Sequence, residues 1–314
     1  MNNSVGAIRA EQYFVTTKRE FVTGGVRFVE HMEFLEVVSF LGEGVGAALF
    51  LLGSALDNLW AMMAGVALVG LAVIALMAHL GGRALIAWRA VTRVKTSWVA
   101  RGTLFISLFM ATSLLLLAAE LFFDLGGFQR YLEILADGLA VLVVLYAGMM
   151  LRSMKAVTLW RTLFLPASFI AHSGLSALII YIALFCSESN QEQQSLLVNL
   201  AVVLAVLTLF ISAAYIASIK RTIAVKASLD ALLRGAVQRW YLLGAGLTGV
   251  VIPCGLLMLA IMINDFAGMA AWLLISAAVL RLFGDYAYRY AIVKAGAYEP
   301  VVPVVGQRGG AFSR

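Results

Sequence analysis

Apolar residues run along the chain in eight long stretches, separated by short polar or charged breaks. A bilayer core of about 30 Å, crossed at about 1.5 Å per helical residue, needs about 20 apolar residues per span. Residues 34–56, 58–80, 102–123, 132–152, 162–186, 195–219, 240–263 and 267–290 meet that length. The first two are joined by little more than Asp57-Asn58, which predicts a tight helical hairpin. The pattern predicts an all-α integral membrane protein with eight transmembrane helices. The segment before the first span carries Arg9, Glu11, Lys18, Arg19, Glu20, Arg27 and Glu30, with no apolar core of signal-peptide type.

Composition agrees with this reading. Of the 314 residues, 62% are hydrophobic and 13% charged, against about 45–50% and about 25% in soluble domains. A soluble fold of this size has no interior large enough for so much apolar surface, and disorder is excluded on the same ground. Cys186 and Cys254 are too few for a disulfide framework or a four-cysteine cluster. The longest loops, around 81–101 and 220–239, leave no room for a catalytic, nucleotide-binding or nucleic-acid-binding domain. Glycine pairs such as Gly42–Gly46 and Gly244–Gly246 lie inside apolar runs and read as close helix packing.

Charge sets the orientation. With eight spans, all of the 23 lysines and arginines except Arg130 lie on or toward the side that holds the N-terminus, here called side A. The positive-inside rule makes side A cytoplasmic, with both termini inside a bacterial-type inner membrane. Three regions follow: a cytoplasmic segment 1–33, an eight-helix membrane domain 34–294, and a cytoplasmic tail 295–314.

Ionisable groups inside spans are costly and are functional candidates. Glu36 and Glu43 are seven residues apart on one face of the first span. Glu43 lies about 14 Å in. It is either a proton relay or polar ligand, or a glutamate hydrogen-bonded to a neighbouring helix. In the last span, Arg281, Asp285 and Arg289 fall four apart on one stripe. That ladder is either a structural clamp and partner anchor or a route for protons. Glu120, Asp124, Glu133 and Asp137 cluster at the opposite ends of spans three and four. They read as solvated carboxylates or as a proton mouth on side B.

His79 closes the second span at side A, where water, protons and lipid-soluble molecules meet. An imidazole there can hydrogen-bond a quinone carbonyl and exchange protons near neutral pH; a plain interfacial histidine is the alternative. His172 lies about 15 Å deeper in the fifth span. One haem does not bridge that difference in depth, so neither haem nor a metal is expected in this chain.

The stretch His79-Leu-Gly-Gly-Arg-Ala-Leu-Ile-Ala-Trp-Arg-Ala-Val, followed by Thr96-Ser-Trp-Val-Ala-Arg101, resembles the signature after the second span of the NrfD-like family. That family comprises membrane subunits of polysulfide-reductase and DMSO-reductase type complexes. Met150-Leu-Arg-Ser-Met-Lys-Ala-Val-Thr-Leu-Trp, running into Leu165-Pro and Ser173-Gly-Leu-Ser, is similar to a second family block. Arg289-Tyr-Ala-Ile-Val-Lys-Ala-Gly is similar to its closing block. The resemblance implies two four-helix bundles, an iron–sulfur partner subunit, a catalytic subunit with a molybdenum or tungsten bis-pterin (molybdopterin) cofactor, and exchange of electrons with membrane quinone, menaquinone or ubiquinone. It implies a quinone site at His79 with Gly81 and Arg83, and a partner-facing loop with Trp88, Arg89, Trp98 and Arg101. One residue is inserted after His79-Leu-Gly, so the family's second loop arginine falls on Ile86. Its proline falls on Ala84, and the glutamate that ends the block falls on Gly102. Glu36 or Glu43 is the candidate replacement for that carboxylate, and Glu43 and Asp285 are candidates for proton transfer.

Topology and resemblance together predict soluble subunits on the cytoplasmic face and a redox anchor that passes electrons into quinone. A pure anchor without quinone is one alternative. A transporter or ion-conducting protein, using Glu43 and the Arg281/Asp285/Arg289 ladder, is the other. Four prolines in all and no evident inverted repeat weigh against transport.

Overall fold

A computed structural model describes residues 26–30, 32, 34–80, 93–122, 126–186, 190–219, 222–263 and 268–299. Among these, eight helices are long and apolar enough to cross a bilayer. They are α1 (Phe34–Ala55), α2 (Leu59–Leu80), α3 (Trp98–Phe122), α4 (Gly127–Ser153), α5 (Phe164–Phe185), α6 (Gln191–Ser218), a π-helical segment Arg239–Val251 continuing into α8 (Ile252–Ile263), and α9 (Met269–Lys294). A short helix, α7 (Ile223–Leu233), fills the connection read from sequence as an open loop. Helices α3, α4 and α6 begin about four residues earlier than their apolar stretches. Their first turns hold polar groups such as Gln129, Arg130, Gln191 and Glu192, which hydropathy leaves outside a span.

The α1–α2 hairpin follows from its turn chemistry. Asp57 takes φ 49°, a left-handed conformation that the short Asp side chain tolerates. Asn58 Oδ1 accepts a hydrogen bond from Ala61 N at 3.0 Å and caps α2. Below the turn, the two backbones touch at Gly46 and Gly65. A Cβ on Gly46 would stand 2.6 Å from the Gly65 carbonyl, and the reciprocal substitution meets the Gly46 carbonyl at the same distance.

Helices α1, α4, α5 and α9 form the centre: α1 and α5 contact each other, and each contacts both α4 and α9. Their spans are more buried than those of α2, α3, α6 and the π/α8 span. The outer helices turn residues such as Leu114, Leu115, Val203, Val206 and Phe210 outward, as lipid-facing surfaces require. The π segment packs on α9. Its i→i−5 hydrogen bonding, seen in Ile252 N donating to Leu247 O, brings Gly244 and Gly249 to one face. Gly249 there meets Gly284, and Gly244 meets Ala287.

Side A is closed by the two ends of the described chain. Strand β1 (Arg27–Phe28) pairs antiparallel with β2 (Ala297–Tyr298), and Val157 bridges to Tyr298. The segments before α1 and after α9 therefore lie on the same face, as an even number of spans demands. Glu299 Oε2 accepts hydrogen bonds from Thr158 Oγ1 (3.0 Å) and Thr222 Oγ1 (2.7 Å), tying the tail to the α4–α5 and α6–α7 connections.

Candidate functional site

At the side-A ends of α1 and α2, His79 Nε2 stands 3.3 Å from Glu36 Oε1, with each side chain about one-fifth exposed. Glu36 is in the first turn of α1 and His79 in the last turn of α2, so the tight hairpin sets them at one level. The pair joins an imidazole and a carboxylate at an interfacial position. It can donate to a carbonyl oxygen and hand a proton on. Gly81, Arg83, Trp88 and Arg89, the other expected members of this site and its loop, lie outside the described residues.

Two turns deeper on the same stripe of α1 is Glu43, which is buried. Among the described residues, no group hydrogen-bonds either of its carboxyl oxygens. Its charged neighbour is Arg289 of α9, and it faces Tyr146 of α4. The expectation of a glutamate simply paired to an adjacent helix is therefore not met. The Tyr146 ring is seated by Gly102, where a Cβ would lie within 2.0 Å of the ring. This explains a small residue at the position where the resemblance places a glutamate.

The charges of α9 form a network less direct than a ladder. Arg289 Nε donates to Asp285 Oδ1 at 2.8 Å. Arg281 instead reaches Asp285 through Ser176 of α5: its Nε donates to Ser176 Oγ (2.9 Å), which donates to Asp285 Oδ2 (2.9 Å). Arg281 Nη1 also donates to the Gly249 carbonyl of the π segment at 2.8 Å, and Arg289 Nη2 donates to Ser173 Oγ at 2.7 Å. Arg281, Asp285 and Arg289 are all at most 1% exposed. Arg281 Nη2 lies 2.9 Å from His172 Nδ1. A guanidinium only donates, so Nδ1 accepts and the ring proton sits on Nε2, 3.3 Å from Ser212 Oγ. Both nitrogens of His172 are thus engaged, and its ring stacks on Tyr288 at 3.8 Å. His172, Ser173 and Ser176 were not singled out from sequence as partners of the α9 charges. Their spacing, three polar groups within five residues of an apolar span, was the available signal.

At side A, Arg101 shapes the loop before α3. Its guanidinium stacks on Trp98 at 4.8 Å and donates to the carbonyls of Val94 (2.9 Å) and Lys95 (2.8 Å). Trp98 also lines a cleft of about 530 Å³ with Thr96, Met149, Arg152, Ser153, Lys155 and Arg161, three of them cationic. At side B, Ser54 Oγ lies 3.0 Å from Asp137 Oδ2 and 3.3 Å from Glu133 Oε1, and Arg130 pairs with Glu133 at 2.7 Å. Among the described residues no group of three or more His, Cys, Asp or Glu is placed to hold a metal ion.

The family described as Polysulphide reductase, NrfD, matches residues 37–300. The chain belongs to the NrfD family. NrfD proteins are membrane subunits of molybdoenzyme complexes that react with quinone, which gives this eight-span protein a membrane-anchor role. Comparison with curated proteins finds no significant match. Two NrfD-like blocks meet in the structure. Trp160 of the second block donates through Nε1 to the Ile292 carbonyl (3.1 Å) of the closing block, and Gly296 of the closing block packs against the Trp160 ring. Ser173 and Ser176 engage the α9 charges beside them. These blocks therefore join α5 to α9, and the second block also lines the cleft beside Trp98.

Proposed function

We propose that this NrfD protein anchors a molybdenum or tungsten bis-pterin oxidoreductase and exchanges electrons between an iron–sulfur partner subunit and membrane quinone, at a site built on His79 and Glu36. The observation that carries this reading is the 3.3 Å approach of His79 to Glu36 at the side-A membrane boundary. The residues present suit a quinone head group: one ring nitrogen and one carboxylate, partly open, at the depth where a lipid-soluble ring meets water. Glu36 supplies the carboxylate that the family block has where this chain has Gly102. Gly81 and Arg83 complete the set. A bound quinone accepts two electrons and two protons. His79 orients it by hydrogen bonding and passes protons to and from Glu36, while Glu43 serves as a deeper proton carrier and Asp285 holds the α9 charge network behind it.

Trp98, Arg101, Trp88 and Arg89 form the docking face for the iron–sulfur subunit. The cationic cleft of Arg152, Lys155 and Arg161 beside Trp98 supports an acidic edge on that partner. With the lysines and arginines on side A, the soluble subunits of this proposed complex face the cytoplasm; the proposed direction of electron flow is from them into quinone. Both termini are cytoplasmic, and the first four and last four spans act as two four-helix bundles meeting on α1, α4, α5 and α9.

The test is turnover of the purified complex. His79→Ala and Glu36→Gln should cut quinone-coupled turnover at least tenfold while leaving dye-coupled turnover of the catalytic subunit intact. Unchanged quinone coupling in both variants sinks the assignment.

A further inference from the structure

Helix α1 carries polar groups along one stripe through the membrane. Glu36, Glu43 and Ser54 fall within about 20° of one another at 100° per residue. The two halves of the stripe differ. Between Glu36 and Glu43 the rise is about 10 Å, and the buried hydroxyl of Ser39 stands between them, donating to the Glu36 carbonyl at 2.8 Å. Between Glu43 and Ser54 the rise is about 16 Å, and the stripe carries Ala47 and Phe50, both fully buried. Phe50 closes on Phe109 of α3 edge to face, with ring centroids 5.2 Å apart. Below that plug the Ser54–Asp137–Glu133 group belongs to side B.

The buried charges are also unevenly matched. Arg281 and Arg289 share one carboxylate, Asp285, while His172 is held with Nδ1 as an acceptor. Glu43 faces Arg289 with both oxygens free of hydrogen-bond partners among the described residues. Among the described residues, the other ionisable groups against α1 include Tyr146 on α4, with Glu133 and Asp137 at its side-B end, His79 at the side-A end of α2, and Tyr286 of α9, which packs on Phe34. Glu43 is thus positioned to balance the spare guanidinium when ionised, and to release that balance when it takes up a proton.

We propose that Glu43 is a proton-loading carboxyl that exchanges protons with side A alone, so that electrons and protons reach quinone from the same face and turnover moves no net charge across the bilayer. This rests on the quinone reading above. The step balances as quinone plus two electrons from the iron–sulfur partner plus two protons from side A giving quinol. Glu43 passes protons by way of Ser39 and the Glu36–His79 pair, and the Phe50–Phe109 contact keeps side B out.

The experiment uses the intact complex in liposomes, soluble subunits outward, driven by a reduced viologen dye with a short-chain naphthoquinone as acceptor. A pH dye trapped in the lumen and a potential-sensitive dye should both stay silent during turnover. A lumenal pH change or a membrane potential that tracks turnover overturns the sidedness. Glu43→Gln should lower naphthoquinone reduction at least tenfold with dye-coupled turnover of the catalytic subunit unchanged; full activity in that variant overturns the role of Glu43. Phe50→Ser, which opens the plug, should make the lumenal dye respond, and this gain does not depend on Glu43→Gln folding. A silent lumen in a folded, active Phe50→Ser complex refutes the plug. If His79→Ala and Glu36→Gln also leave naphthoquinone reduction intact, the quinone site itself has failed, a result separable from loss at those positions without loss at Glu43.

Discussion

Deleting the carboxylate of Asp285 should be among the most damaging single changes in the chain. Asp285 is fully buried and accepts hydrogen bonds from Arg289 Nε at 2.8 Å and Ser176 Oγ at 2.9 Å, with Arg281 linked through the same serine. Hydrogen bonds to a charged group contribute about 1.5–3 kcal/mol each, so two of them give about 3–6 kcal/mol. Removing one partner of a buried ion pair costs about 3–5 kcal/mol by a separate route, because the remaining charge is left uncompensated. The two figures agree, and Asp285→Ala should destabilise by about 3–5 kcal/mol, more than a hundredfold in the unfolding equilibrium. The assay is reversible denaturation of the purified chain by SDS in mixed micelles, followed by tryptophan fluorescence. Asp285→Asn keeps the shape and one acceptor oxygen and should lose less. The triple variant Arg281→Met, Asp285→Leu, Arg289→Met removes all three charges together and should recover most of the loss. A cost below 1 kcal/mol for Asp285→Ala would refute the view that this network is a desolvated clamp.

Four further outcomes are open to measurement. Gly284→Ala places a Cβ within 1.9 Å of Gly249 Cα and should force the π segment off α9, lowering the melting temperature of the detergent-solubilised protein by several degrees; an unchanged melting curve would mean that the two backbones part freely. Gly102→Glu, which restores the residue of the related block, should fail to fold or should displace Tyr146, because the new Cβ overlaps the ring; a stable variant with an undisturbed Tyr146 would contradict that packing. Arg101→Ala removes two loop hydrogen bonds and the Trp98 stack and should speed proteolysis of the 93–97 loop without altering detergent stability by more than about 1 kcal/mol. Reporter fusions at residue 96 and within 187–194 should read cytoplasmic and external respectively; the reverse would place the soluble subunits on the other face.

The eight spans were legible because each is a run of apolar residues longer than a soluble core helix needs. What hydropathy missed was polar yet helical. The first turns of α3, α4 and α6 project past the apolar zone, and α7 hides Ala224, Val225, Ala227 and Leu232 in a connection read as basic loop. The π segment left no trace in the pattern, since its glycines read equally well as ordinary close packing. The hairpin turn at Asp57-Asn58 and the charge stripe of α9 were visible in spacing alone. Their partners were not: which α5 residues meet Arg281 depends on the relative depth and rotation of two helices about a hundred positions apart. The same holds for His79 and Glu36. Each was a candidate, but only the hairpin register brings them within 3.3 Å.

The antiparallel pairing of residues 27–28 with 297–298 has a consequence for biogenesis. The first of these strands leaves the ribosome long before the second. At about 5–20 residues per second, the wait is roughly ten seconds to a minute. Through that interval the early strand has a raw edge, and the surface it helps to build is unfinished. Products that end before Ala297 lack this seam, so full-length copies carry a paired strand that truncated ones do not. Protease digestion of released chains that end before Ala297, set against released full-length chains, would read that mark as protection of the segment around Phe28 in the full-length chain alone.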